Sequence, residues 1–268
     1  MTVSTTTTAG PASAAQGAAG TARLVLLHTK FQFLETVRIP IAVIGNLLFP
    51  TLAVFFFVVP QPAAQEIPAV ATAMVGQLAM FAVMSTFLFS FGTGVAEDRA
   101  QPFEPYVRTL PAGAGPRMAG RLINGCIFAL MALVPLVLVG WFLTAAEVTV
   151  PVLLLAAALI LVIGAPFLML GLAIGYSLSA KAALAVVQVV LFPLAFAGGL
   201  FMPAELFPEW LDRFSQFLPS RAGRELLIQV LTGSEAYPLA LPVLLAWGAL
   251  FTALAVMAYR KDQGRRFH

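Results

Sequence analysis

The residues able to do chemistry in this chain are few, and most gather between positions 97 and 108: Glu97, Asp98, Arg99, Phe103, Glu104, Tyr106 and Arg108. Carboxylates and guanidiniums mixed with two aromatics suit recognition rather than bond-making. Two readings stay open for them. One is a solvated loop of surface charge; the other is a docking anchor, with Phe103 and Tyr106 in an apolar groove of a partner and the charges setting register. Other chemistries are poorly served. His28 and His268 stand far apart without carboxylate company, which argues against a metal site or a nucleophilic triad. Cys126 is the single cysteine, so no intrachain disulfide or Cys-based metal cluster is possible, and its apolar surroundings make it a small packing residue. A phosphate-cradling loop needs a Gly-Lys-Ser/Thr step, but Lys30, Lys181 and Lys261 neither follow Gly nor precede Ser or Thr. This chain is therefore expected to hydrolyse no ATP by that route and to carry no cofactor of its own.

The elements that must position these residues are membrane helices. Hydrophobic residues make up 60% of the 268, charged residues only 10%, and the mean hydropathy is +0.93. A soluble domain carries about 45–50% apolar and about 25% charged residues. A span needs about 20 apolar residues, and six stretches qualify: about Ile39–Val59, Ile67–Phe91, Leu122–Leu143, Val150–Leu178, Ala182–Phe201 and Leu239–Tyr259. The expected fold is an all-α polytopic membrane protein of six spans.

Charge orients it. With the N-terminus inside, the inner segments hold 12 of the 15 Lys and Arg residues, and the outer ones only Arg213, Arg221 and Arg224. Both termini are then cytoplasmic. The sequence pI near 9.4 is read through this positional bias as membrane-surface charge, not as a nucleic-acid footprint.

The connections carry more information than the spans. Residues 1–20 are small, polar and of low complexity, with no basic residue before Arg23 and no apolar h-region, so a disordered tail is expected rather than a signal peptide. Leu24, Leu27, Phe31 and Leu34 recur at three- and four-residue spacing among Arg23, Lys30 and Arg38, as in a helix lying flat in the interface. Pro40 then turns the chain into the first span. Between spans five and six, residues 202–238 carry Leu206, Trp210, Phe214 and Phe217 at similar spacings. They predict short amphipathic helices on either side of Pro219, at the outer interface or dipping back into it.

Within the spans the polar residues include Asn46, Gln77, Ser85, Thr86, Asn124 and Gln188, and no acid or base lies deep. Such residues either bond to a neighbouring helix or line a path. The missing intramembrane carboxylate argues against a proton relay or ion pump and favours an apolar or amphipathic substrate. The small-residue runs from Gly164 to Gly175 and from Ala195 to Gly199 invite close helix packing. Phe192 and Phe196 line a path or face lipid.

Three pieces together resemble the permeases of type-2 ATP-binding cassette (ABC) exporters: the flat helix before span one, the segment GVAEDRAQPFEPYVRTLPAGAGPRMAGRLI, and the run from Phe192 to Leu227, FPLAFAGGLFMPAELFPEWLDRFSQFLPSRAGRELL. The chain departs from the family at Pro102-Phe103-Glu104-Pro105, where many members start a helix with a Gly-Thr-Leu-like sequence. The resemblance implies a six-span permease domain over residues 21–268, which pairs with a second copy or a homologue. Two cytoplasmic ABC ATPase subunits would bind it and supply ATP and Mg²⁺. A coupling segment at about 95–118 would contact them through Glu97, Asp98, Arg99, Phe103, Glu104, Tyr106 and Arg108. Spans one, two and five would line the substrate path, which favours Asn46, Gln77 and Gln188, with Phe192 and Phe196 beside them. The expected activity is outward movement of a drug-, antibiotic- or lipid-like compound across the inner (plasma) membrane. The alternatives are an intramembrane lipid-modifying enzyme, for which no converging nucleophiles or metal ligands are evident, and a non-transporting assembly factor.

Overall fold

A computed structural model describes residues 11–38, 40–102 and 115–264; the side chains of 11–19, 40–43, 46 and 264 lie outside the description. Every regular element among the described residues is helical. Helix α1 (Pro11–Val37) precedes α2 (Pro40–Ala53), which continues as a π-helical stretch, Val54–Val58. Then come α3 (Pro62–Glu66), α4 (Pro68–Phe87) with a π-helical continuation Leu88–Thr93, and α5 (Gly94–Ala100). After the undescribed stretch follow α6 (Gly115–Leu143), α7 (Val150–Ser177) and α8 (Ala180–Ala197). A 3-10 turn at Ala204–Leu206, α9 (Glu209–Ser215), α10 (Pro219–Thr232) and α11 (Ala240–Gly264) complete the chain.

Among the described residues, five helices are long and apolar enough to cross a membrane: the continuous run Pro68–Ala100, then α6, α7, α8 and α11. They coincide with expected spans two to six. The first expected span falls on α2 and its π continuation, whose apolar part, Leu47–Val58, is shorter. Span five stops earlier than expected, at Ala197, because Gly198 and Gly199 break it; Gly199 has φ +74°, a conformation open to glycine and costly for other residues. Residues 11–20, expected as tail, begin α1 instead. Pro11 suits a first helical position, and the alanine-rich stretch after it favours helix without needing an apolar face.

The bundle is built around α4 and its continuation, whose residues from Met74 to Leu88 are buried without a break. Small residues let α7 approach it. A Cβ on Gly164 would meet Val83 at 2.8 Å, and one on Gly171 would meet the Phe87 carbonyl at 2.9 Å, so the glycine run sets the α4–α7 distance. At one end, Thr72 Oγ1 accepts from Glu147 N (3.1 Å), and Gln65 Nε2 donates to the carbonyls of Val59 and Leu143. At the other, α1 lies along α6, with Phe33 stacked on Phe128 at 5.5 Å and a Cβ on Gly120 meeting His28 Cβ at 2.8 Å. The expected apolar face of α1 is divided. Leu24 is half-buried, while Leu27, Phe31 and Leu34 are exposed, as a helix touching lipid requires.

Candidate transport and coupling sites

The end of the bundle carrying most of the Lys and Arg residues holds a latch. Arg99, on α5, donates through Nε (3.1 Å) and Nη2 (2.5 Å) to Asp262 Oδ1, near the end of α11. Its Nη1 donates to the carbonyls of Gly175 (2.7 Å) and Leu178 (3.1 Å), where α7 ends. Its guanidinium also lies 6.0 Å from the ring centroid of Tyr176, which packs edge-on against Tyr259. The Asp262 side chain is 3% exposed and that of Arg99 17%. One guanidinium thus ties the foot of α5 to those of α7 and α11. Beside it Asp98 accepts from Arg121 of α6 at 2.7 Å. Of the expected coupling residues, Arg99 and Asp98 are occupied in these internal bonds and Glu97 is exposed. Phe103, Glu104, Tyr106 and Arg108 lie outside the described residues.

The opposite end holds a second charged cluster. Helix α10 is not a surface element: it packs among α4, α7 and α11. A Cβ on Gly223 would meet Ile163 and Met80 at 3.0 Å, and one on Gly76 would meet Leu231 at 2.5 Å. Gln77 lies nine residues into α4, about 14 Å along the helix, so α10 reaches well below the helix end. There Arg224, 3% exposed, donates through Nε to Gln77 Oε1 (3.3 Å), through Nη2 to Glu205 (3.4 Å) and through Nη1 to Glu225. Arg221 Nε lies 3.2 Å from Glu225 and its Nη2 3.5 Å from Asp212. Burial lowers the Arg221 pKa, and Arg224 beside it adds to that, while Glu225 and Asp212 oppose it. Ser220 Oγ donates to the Leu194 carbonyl at 2.6 Å, joining α10 to the end of α8. Gln77 is 1% exposed, and its Nε2 has no partner among the described residues.

Helix α9 meets this cluster through Asp212, and Leu206, Trp210, Phe214 and Phe217, on it and beside it, are all exposed. It is tethered from behind, since Tyr237 Oη donates to the Gln216 carbonyl (2.7 Å) and Trp247 Nε1 to the Phe217 carbonyl (2.8 Å). Burial pushes the Tyr237 phenol up to about 12, with Glu225 adding and Arg221 opposing. The fold holds the neutral phenol, so its contribution is full below the ordinary value near 10 and is lost as pH rises towards 12. Tyr237→Phe removes one donor and is expected to cost about 1 kcal/mol. Melting curves of the wild type should show an alkaline loss between about pH 10 and pH 12 that is smaller in the variant.

A third region is an open face. On α8, Ala183, Val187, Leu191 and Ala195 face the bundle, while Gln188, Phe192 and Phe196 stand four apart on the exposed side. Phe196 stacks on Phe201 (4.9 Å), Phe201 meets Phe81 (4.7 Å) and Phe57 (5.8 Å), and Phe81 meets Phe49 (5.8 Å). This aromatic series bridges α8, α4 and α2. The α2 side is also open, with Leu48, Leu52 and Phe56 exposed. Of the expected path residues, Gln188, Phe192 and Phe196 therefore share one line, Gln77 lies beneath α10, and the Asn46 side chain is outside the described residues.

Sequence reasoning missed Arg221 and Arg224 as buried groups, Glu225 as the carboxylate between them, and Asp262 as the partner of Arg99. One signal for the first three was present: Ser220, Ala222 and Gly223 are small enough to let their helix sink between others.

Long apolar helices running between a basic end and a capped end define a multi-pass, all-α membrane protein. The chain belongs to the ABC-2 type transporter family, whose sequence model matches residues 23–232. It is also similar to a Bacillus subtilis (strain 168) protein bearing the name "Putative transport permease YvfS", at 23% identity over 228 residues, covering 82% of this chain and 91% of that one. The chain is accordingly a transmembrane permease of an ABC transporter.

Proposed function

We propose that the chain forms half of an exporter's pore and moves an apolar or amphipathic compound outward, driven by two ATPase subunits bound at its basic, cytoplasmic end. In this reading the chain crosses the plasma membrane six times, α2 and its π continuation making the first crossing. The second half is another copy or a homologue, seated against α2 and α8. The observation that carries the reading is the open face of α8. Gln188 would be costly to leave among lipid chains, and in line with Phe192 and Phe196 it suits a path shared between two subunits. The exposed members of the series, Phe196, Phe57 and Phe49, offer apolar contact to a substrate, with few hydrogen-bonding groups to set a narrow choice.

The transmission follows from the same structure. The run from Pro68 to Ala100 is helical throughout, with the Arg224 cluster near one end, the Arg99 latch at the other and the π-helical stretch between them. π-Helical stretches inside α-helices are frequent at functional sites. Movement imposed on segment 95–118 would act on the α10 cap through this helix.

Two experiments test the reading. Gln188→Cys in a Cys126→Ser background should form a disulfide-linked dimer in membranes on oxidation; a chain that stays monomeric under all oxidants counts against the shared face. Phe103→Ala/Tyr106→Ala should lose co-purification of the ATPase. Two docking aromatics worth about 2 kcal/mol each correspond to roughly 30-fold weaker binding per residue. Unchanged assembly and unchanged substrate-stimulated ATP hydrolysis in lipid would reject the docking role.

A further inference from the structure

Beside the Arg99 latch, on the outer flank of the bundle, α7 and α11 leave a lateral groove of about 550 Å³. Its wall is apolar, built by Leu170 and Ile174 of α7 and Leu254 and Met257 of α11, and its mouth carries Ser177 and Lys261. Both mouth residues lie at the basic end, Ser177 as the last residue of α7 and Lys261 in the last turn of α11.

The charges around the mouth are unequal. Lys261 and its neighbour Arg260 are exposed. Asp262, the adjacent carboxylate, turns the other way and is held by Arg99. Among the described residues no carboxylate pairs with Lys261. The groove therefore offers an apolar slot running about two helical turns back from the basic end, and at its mouth an ammonium that no described carboxylate pairs, with a hydroxyl beside it. That matches an anionic phospholipid in both parts: an acyl chain for the slot and a phosphate for Lys261.

We propose that the α7–α11 groove is a binding site for an anionic phospholipid of the leaflet at the basic end. Its acyl chain lies along Ile174 and Met257, its phosphate pairs with Lys261, and the Ser177 hydroxyl donates to the same phosphate. The site lies away from the α2/α8 face and does not depend on the transport reading, except that the reading names the leaflet as the cytoplasmic one.

The test uses the purified full-length chain without its ATPase, titrated with dioleoyl phosphatidylglycerol or dioleoyl phosphatidylcholine, with bound lipid counted by native mass spectrometry. The wild type should hold the anionic lipid about fivefold more tightly, the ratio of one basic contact at the surface. Lys261→Gln should bind both lipids equally, and Lys261→Arg should keep the preference. Ser177→Trp, at an exposed position, should block the mouth and lower occupancy by both. Equal binding of the two lipids by the wild type, or a preference that survives Lys261→Gln, overturns the proposal. Melting points of the variants in lipid-free detergent should match the wild type, which separates a lost site from a lost fold. Failure here would leave the Gln188→Cys and Phe103→Ala/Tyr106→Ala results untouched.

Discussion

Arg224→Leu is expected to destabilise the permease by about 3–5 kcal/mol, the usual cost of removing one partner from a buried ion pair. The guanidinium is 3% exposed and serves three acceptors on three elements: Gln77 of α4, Glu205 in the 3-10 turn and Glu225 of its own helix. The Glu205 arm contributes least, because that carboxylate is mostly exposed and its pair is screened. The loss comes from the other two. Gln77 would have neither its oxygen nor its amide nitrogen bonded, and Glu225 would keep only Arg221. A buried amide without partners costs about 1–3 kcal/mol by itself. Helix α10 should then separate from α4, and the cap with it. Thermal unfolding read by tryptophan fluorescence suits the measurement, since Trp247 bonds the Phe217 carbonyl beside the cluster. The double change Gln77→Leu/Arg224→Leu should recover part of the loss, because the buried amide is removed together with its partner while Glu225 keeps Arg221. An Arg224→Leu midpoint equal to that of the wild type would show that the cluster does not hold α10.

The long helices were legible because hydrocarbon demands about 20 apolar residues in a row and α6, α7 and α11 comply. Their limits fell where Gly, Pro or a polar step interrupts the run, and the one long overshoot, at Phe201, came from reading Gly198-Gly199 as part of an apolar stretch. Helix α10 was not legible as a buried element. PSRAGRELLIQVLT has two arginines and a glutamate in its first seven residues, a composition that ordinarily faces water. Its burial depends on partners from α4, α9 and the 3-10 turn, which no local pattern encodes. Arg99 posed the same difficulty. In the run Glu97-Asp98-Arg99 it reads as a surface charge for a partner, whereas its carboxylate lies 163 positions away. The π-helical stretches were likewise hidden, since LFSFGT differs little in composition from the α-helix before it. What remained readable at the open face was periodicity: Gln188, Phe192 and Phe196 at four-residue intervals sit on one side of any helix.

Asp262→Ala should act at the other end of the same long helix, and with a different signature. Arg99 would keep its bonds to the Gly175 and Leu178 carbonyls, so its charge would stay half-buried and uncompensated rather than swing into water. The expected loss is again about 3–5 kcal/mol, reduced to the extent that water reaches the 17% of Arg99 that is exposed. Exchange of the two charges distinguishes this latch from an ordinary surface pair. Arg99→Asp/Asp262→Arg would restore a simple pair, but here it would point a carboxylate at two backbone carbonyls and leave both without a donor, so it should be no better than the single change. The latch also predicts a split between stability and coupling. Helix α5 is the start of segment 95–118, and with Asp262 gone its foot is no longer tied to α11. In the assembled transporter, Asp262→Ala should therefore lower the substrate stimulation of ATP hydrolysis more than the basal rate, even at temperatures where the protein remains folded. A variant that melts early yet keeps full stimulation below its midpoint would reduce the Arg99–Asp262 pair to a structural tie between α5 and α11.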